Sequence, residues 1–188
     1  TFQLKQKLFP LLKDQGVEKL YFEVEAPLIN VLASMEDEGV YVDTHTLATF
    51  SEELETESRK IEQEIYDIAG VKFNIASPKQ LGEILFEKLN LIDKPKKTKT
   101  GQYATGEEIL SRLASEHIIA EKILDFRELQ KLKSTYVDAL PSLINARDGR
   151  IHTCYNQAVA ATGRLSSTNP NLQNIPIRTE KGREIRKA

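Results

Sequence analysis

The chain carries little that reacts and no stretch long enough to cross a membrane. Of its 188 residues one is cysteine, Cys154, which excludes an internal disulfide and fits a reduced interior. The three histidines, His45, His117 and His152, stand at no spacing that metal ligands adopt. No apolar run approaches the ~20 residues of a membrane span, and the opening "TFQLKQKLFPLL" lacks the pattern of a secretory signal. Internal repeats and low-complexity tracts are also missing. A metal-free, cytoplasmic, globular protein of one or two domains is expected, consistent with 40% hydrophobic and 29% charged residues. Neither sign of charge dominates, the formal net being −2. That total conceals a segregation: Lys and Arg dominate residues 94–99 and 178–187, while Asp and Glu crowd residues 52–67. A near-neutral sum therefore does not exclude a nucleic-acid partner. The chain starts without Met and ends at "REIRKA" on an unfinished helix, so a segment of a larger protein is expected.

What is present is mostly helix. Residues 2–13 place Phe2, Leu4, Leu8, Phe9, Leu11 and Leu12 at roughly helical spacing, and Asp14 to Lys19 reads as a link. A helix from Ala26 to Glu38 has Pro27 in its first turn and Gly39 as its stop. "GVYVD" then reads as extended. Asp43 caps a long helix carrying Leu47, Phe50, Leu54, Ile61, Ile65 and Ile68 and ending at Gly70. Its acidic face, from Glu52 to Glu64, would repel phosphate and is expected to meet solvent or protein. Ser77 caps a further helix with Pro78 at its first position, running to about Leu89. "LIDKPKKTKTGQYAT" reads as a loop or hairpin, Thr105 as the opening of another helix, and Glu116 to Ile144 as a long helical stretch that Pro141 kinks or restarts. After the Asp148-Gly149 turn, "RIHTCYNQAV" reads as a strand, and "TEKGREIRKA" as a short closing helix. The expected fold is mainly α with a small β portion.

One stretch does not suit a chain of charged helices. "ATGRLSSTNPNLQNIP", residues 161–176, has a single charge, Arg164, among three Asn, one Gln and a Ser-Ser-Thr run. The minor groove of duplex DNA offers purine N3 and pyrimidine O2 in nearly the same place whichever base is present, and Arg, Asn and Gln are natural donors to them. Arg164, Asn171, Gln173 and Asn174 on a backbone fixed by Gly163, Pro170 and Pro176 could reach such acceptors. The alternative is a capped polar turn whose Asn and Ser satisfy their own backbone. "KPKKTKTG" supplies Lys94, Lys96, Lys97 and Lys99 as phosphate contacts or as a merely solvated loop.

At "TGRLSSTNPNLQNIPIR" the sequence resembles the segment ahead of the first catalytic carboxylate in bacterial family A DNA polymerases, of the DNA polymerase I type. "FNIASPKQLGEILFEKL", "FRELQKLKSTYVDALP" and "GRIHTCYNQAVAATGR" resemble that family's thumb and early palm in the same order, and the resemblance covers practically the whole chain. It implies a helical thumb followed by the first strands of an α+β palm. Residues 1–20 would be the remnant of a 3'–5' exonuclease-like domain, 21–145 the thumb region and 146–188 the start of the palm. Arg164 matches the arginine that contacts the minor groove at the primer terminus. Asn171 and Gln173 match residues near the template and nascent pair, and Arg178 a basic residue beside the active site. Arg127 and Lys131, at i and i+4, match duplex-contacting positions, and Asn74 and Ser77 a polar element near the duplex backbone, with a simple helix cap at Ser77 equally open. The four lysines resemble a thumb tip that tracks DNA.

The same resemblance implies primer–template DNA as partner, deoxynucleoside triphosphates and Mg²⁺ for the complete enzyme, and a monomer. The chain stops short of the palm aspartates that hold the metal, so by itself it is expected to be inactive and to bind no cofactor. A non-enzymatic helical nucleic-acid-binding module and a purely structural helical scaffold are the competing readings.

Overall fold

The structure is a computed structural model that describes residues 1–99 and 101–188. In chain order the elements are α1 (Phe2–Asp14), α2 (Glu18–Leu20), α3 (Ala26–Glu38), β1 (Val40–Tyr41), α4 (Thr44–Ala69), α5 (Pro78–Glu83), α6 (Glu107–Ala114), α7 (Ile118–Leu132), β2 (Arg150–Ile151), β3 (Cys154–Asn156), β4 (Ser166–Thr168) and α8 (Glu180–Ile185). Three π-turns, Tyr21–Glu25, Ile84–Lys88 and Lys133–Val137, extend helices, and a 3₁₀ turn covers Leu140–Leu143. Helix predominates, with two small antiparallel pairs, β1–β2 and β3–β4, as the β portion. The chain forms two compact units, one of Thr1–Val42 with Leu140–Arg186 and one of Asp43–Ala139 with Lys187–Ala188. No helix among the described residues is long and apolar enough to cross a membrane.

The unit from Asp43 follows from caps and periodicity. The Asp43 carboxylate accepts from the His45 and Thr46 amides at 3.0 and 3.1 Å, and α4 ends at Gly70 in the left-handed conformation. Leu47, Leu54, Ser58, Ile61, Ile65 and Ala69 form its buried stripe. That stripe packs on α7, which buries Ile119, Ala120, Ile123, Phe126, Leu129 and Leu132. The one polar member is satisfied, because Gln130 of α7 donates to Ser58 Oγ at 2.7 Å. Ile68, expected on the core side, is 39% exposed, and Ala69 takes the buried place one residue on.

Several boundaries differ from the sequence expectation, each for a local reason. Helical turns already begin at Glu18 and run into α3 through the π-turn Tyr21–Glu25, where the Ala26 amide reaches back to the Tyr21 carbonyl. Pro27 has no N–H to give and its ring crowds the carbonyl four residues earlier, so a widened turn ahead of it relieves both. Gly106, not Thr105, caps α6, and Thr105 is buried. The stretch 116–144 breaks into α7, a π-turn and a 3₁₀ turn containing Pro141. "RIHTCYNQAV" gives two short strands in two different pairs, β2 against β1 and β3 against β4.

Candidate nucleic-acid interface

The break between β2 and β3 is made by side chains. His152 turns its Nδ1 to the Glu36 carbonyl at 2.7 Å and its Nε2 to the Asp148 carboxylate at 2.8 Å. Its ring lies where a Cβ on Gly39 would come within 2.7 Å, and Gly39 has φ +66°, so glycine is required there twice over. Both partners of the imidazole are acceptors, which holds its pKa above the ordinary value: the Glu36 carbonyl contributes most, then the Asp148 carboxylate. Asp148 is held below the usual carboxylate range, first by the Arg150 amide. Next along the chain, the Thr153 hydroxyl faces the carbonyls of Pro170 at 2.6 Å and Thr168 at 3.1 Å.

These anchors carry the β3–β4 pair, whose register sets Cys154, Tyr155 and Asn156 against Thr168, Ser167 and Ser166. Residues 157–165 form a loop closed at its neck by the last of these pairings. At the start of the loop, the Gln157 side-chain amide donates to the carboxylate and carbonyl of Glu25 at 2.7 and 3.0 Å. Downstream, Gln173 donates to the Leu165 carbonyl at 2.8 Å and accepts from the Ser167 amide at 3.1 Å, so its side chain acts as a short additional strand beside β4. Asn171 accepts from the Gln173 amide at 3.0 Å, and the buried Ser167 hydroxyl accepts from the Leu172 amide at 3.0 Å.

Much of the polar wealth of this stretch is thus spent on its own backbone. Asn171 and Gln173, read from sequence as candidate donors to DNA, order the turn; Asn174 is exposed and interacts within the chain. Arg164 stands apart. It is exposed and makes no hydrogen bond or ion pair among the described residues, and it follows Gly163, whose φ of +73° and amide bond to the Ala160 carbonyl at 3.1 Å close a turn just ahead of β4. Arg178 is exposed and its guanidinium is unengaged among the described residues, while its carbonyl accepts from Arg183 at 3.2 Å.

In the other compact unit, the remaining candidates divide in the same way. Asn74 and Ser77 build the start of α5: the Asn74 side chain accepts from the Ala76 amide at 3.0 Å, and Ser77 Oγ from the Gln80 amide at 3.4 Å. Gln80 returns a bond to the Asn74 amide at 2.7 Å, a variant of the reciprocal cap. Arg127 is half-buried and donates to the Thr105 carbonyl at 2.6 Å, and burial lowers its pKa. Lys131, one turn on, is exposed and unpaired among the described residues. Lys97 lies over the Tyr103 ring at 4.9 Å, and Tyr103 in turn donates to Glu87 at 3.0 Å, which anchors the lysine-rich loop. Lys94, Lys96 and Lys99 are exposed and their ammonium groups are unengaged among the described residues; Lys94 and Lys96 rim a cavity of about 330 Å³ floored by Phe86, Ile92 and Leu113. The sequence gives little sign of Glu25, Glu36 and Gln157: the two acids lie about three helical turns apart on one face, and Gln157 carries no local signal.

The set is one of outward cationic donors on anchored roots. Among the described residues no three His, Cys, Asp or Glu side chains converge as a metal site would require. Exposed cationic side chains of this kind, on loops and on the outer face of α7, have the chemistry that suits a polyanion. The chain belongs to DNA polymerase family A, whose sequence profile matches residues 44–188. It is 50% identical to DNA polymerase I of Synechocystis sp. over 195 aligned residues, covering all of this chain and 19% of that protein. With DNA polymerase I of Geobacillus stearothermophilus it shares 49% identity, over 98% of this chain and 21% of the relative. The thermostable DNA polymerase I of Thermus filiformis is 50% identical, over 99% and 22%. The chain thus spans about a fifth of the length of these relatives. Among solved structures, the polymerase domain of Pol1 from M. smegmatis, in complex with DNA primer–template and dNTP, superposes with a TM-score of 0.83 at 42% identity, covering all of this chain and 33% of that one.

Proposed function

We propose that the chain is the primer–template-gripping portion of a DNA-directed DNA polymerase, an enzyme of template-dependent nucleotidyl transfer in cytoplasmic DNA replication and repair. In this reading residues 1–20 end an exonuclease-like domain, 21–145 form the thumb region and 146–188 open the palm. The observation that carries it is Arg164: a guanidinium exposed and unpaired among the described residues, on a loop whose neck is tied by Gln157 and Gln173. A minor-groove acceptor common to all base pairs is the partner such a donor suits, since it can be met without reading sequence. Lys94, Lys96, Lys99, Lys131 and Arg178 add phosphate contacts that supply affinity. The Mg²⁺ ions of the complete polymerase would be held elsewhere, because no three acidic side chains converge among the described residues.

The test separates rate from affinity in the complete polymerase. A charged hydrogen bond contributes about 1.5–3 kcal/mol. If it tightens toward the transition state, Arg164→Ala lowers the extension rate about ten- to a hundredfold, with a smaller change in duplex affinity. Arg164→Lys restores little, lacking the planar fork. A variant that loses affinity and thermal stability together, with an unchanged extension rate, would refute the reading.

A further inference from the structure

The loop that presents Arg164 is held from outside its own strand pair, by one helix. Glu36, near the end of α3, uses two groups: its carboxylate accepts from the Tyr155 amide at 2.5 Å and its carbonyl faces His152 Nδ1 at 2.7 Å. Glu25, which immediately precedes α3, also uses two, its carboxylate and carbonyl both accepting from the Gln157 amide. Residues 25 and 36 lie about three helical turns apart and so share a face. Both are half-buried, whereas Asp37 and Glu38 beside them are exposed. One helix face therefore holds β3 at Tyr155 and the first loop residue at Gln157. Between residues 157 and 165 the only charged side chain is Arg164. Whatever fixes the root of this loop fixes one cationic donor.

We propose that Glu36 and Glu25 are positioning residues for Arg164, holding the root of its loop against α3 through Tyr155 and Gln157. The inference rests on the proposed role of Arg164 and adds the residues that make it effective. A carboxylate accepting a backbone N–H forms a charge-assisted bond, stiffer than a neutral one, and a donor aimed at a single base acceptor depends on geometry finer than an ångström. Gln157 is tied twice to Glu25, so removing the Glu25 carboxylate leaves the carbonyl bond, while removing the Gln157 amide loses both.

The experiment measures single-turnover extension rate and duplex affinity in the complete polymerase for Glu36→Ala, Glu36→Gln, Glu25→Ala and Gln157→Ala, each alone and combined with Arg164→Ala. Glu36→Ala is expected to slow extension about tenfold with duplex affinity within about twofold. Glu36→Gln restores most of the rate, because its amide oxygen still accepts from Tyr155. Gln157→Ala, which leaves the β3–β4 pairing intact, slows extension more than Glu25→Ala. In the Arg164→Ala background none of these changes slows the enzyme further, the non-additivity expected of groups acting through one atom. Losses that multiply in the double variants, or a Glu36→Ala enzyme that loses thermal stability but keeps its rate, overturn the inference alone. An Arg164→Ala enzyme as fast as the wild type overturns it together with the function on which it rests.

Discussion

Arg127 donates to the Thr105 carbonyl at 2.6 Å and thereby ties the turn ahead of α6 to the middle of α7. The guanidinium is half-buried, and it satisfies a carbonyl of a residue only 6% exposed. Removing it leaves that acceptor without its partner. Arg127→Ala is therefore expected to destabilise the fold by about 1–3 kcal/mol, measured by urea unfolding of the chain. Duplex affinity should fall less than for Lys131→Ala on the same helix; the reverse ranking would make Arg127 a DNA contact first.

Gln173 closes the other side of the polar stretch, donating to Leu165 and accepting from Ser167. Gln173→Glu keeps an acceptor for the Ser167 amide but sets a carboxylate oxygen against the Leu165 carbonyl. It should destabilise at least as much as Gln173→Ala, by about 1–2 kcal/mol at neutral pH. Recovery of stability as the new carboxyl is protonated, followed by thermal unfolding at falling pH, checks the cause.

His152 is expected to make stability depend on pH. Both ring nitrogens face acceptors, Glu36 and Asp148, so the folded state favours the imidazolium and the pKa is raised from its usual ~6.5. The stabilisation is fully present below about pH 6.5 and is lost as pH rises through the folded value. Asp148, with its pKa lowered, contributes in the opposite sense: present above about pH 3.9, lost as pH falls through its folded value. Thermal unfolding between about pH 5 and pH 9, which brackets the histidine's usual value and the range above it, should show a decline that His152→Asn removes. An equal decline in that variant would place the titration elsewhere.

The lysine loop predicts a salt signature. Among the described residues the ammonium groups of Lys94, Lys96 and Lys99 are unengaged, whereas Lys97 lies over the Tyr103 ring. Log affinity for duplex against log salt should flatten by about 0.9 for each phosphate contact removed. Replacing the first three lysines by alanine should therefore flatten it by two to three such steps, about 1.8 to 2.7, and Lys97→Ala much less. An unchanged slope on the triple replacement would mean the loop is merely solvated.

The parts of the fold that were legible in the sequence are those where the signal is local. Asp43 with Gly70, Ser77 with Pro78, and Ala26 to Glu38 each carry their cap or stop within a turn of the helix they bound. The π-turns escaped because they answer to crowding at Pro27 and to tertiary packing rather than to composition. In the site, Arg164 was legible as the single charge of its stretch. Asn171 and Gln173 were legible as hydrogen-bonding groups, but a sequence does not say whether an amide faces a ligand or a carbonyl eight residues away, as Gln173 does at Leu165. Glu25 and Glu36 were invisible, since their partners Gln157 and Tyr155 lie more than a hundred residues along the chain.

In the proposed function Arg164 acts through a minor-groove acceptor of the terminal primer base. The direct measurement is the extension rate of wild-type and Arg164→Ala polymerase on a primer whose terminal base lacks that acceptor, beside the ordinary primer. The wild type is expected to slow about ten- to a hundredfold, to the rate of the variant, and the variant to be indifferent to the change. Losses that multiply, or a wild type that does not slow at all, would contradict it.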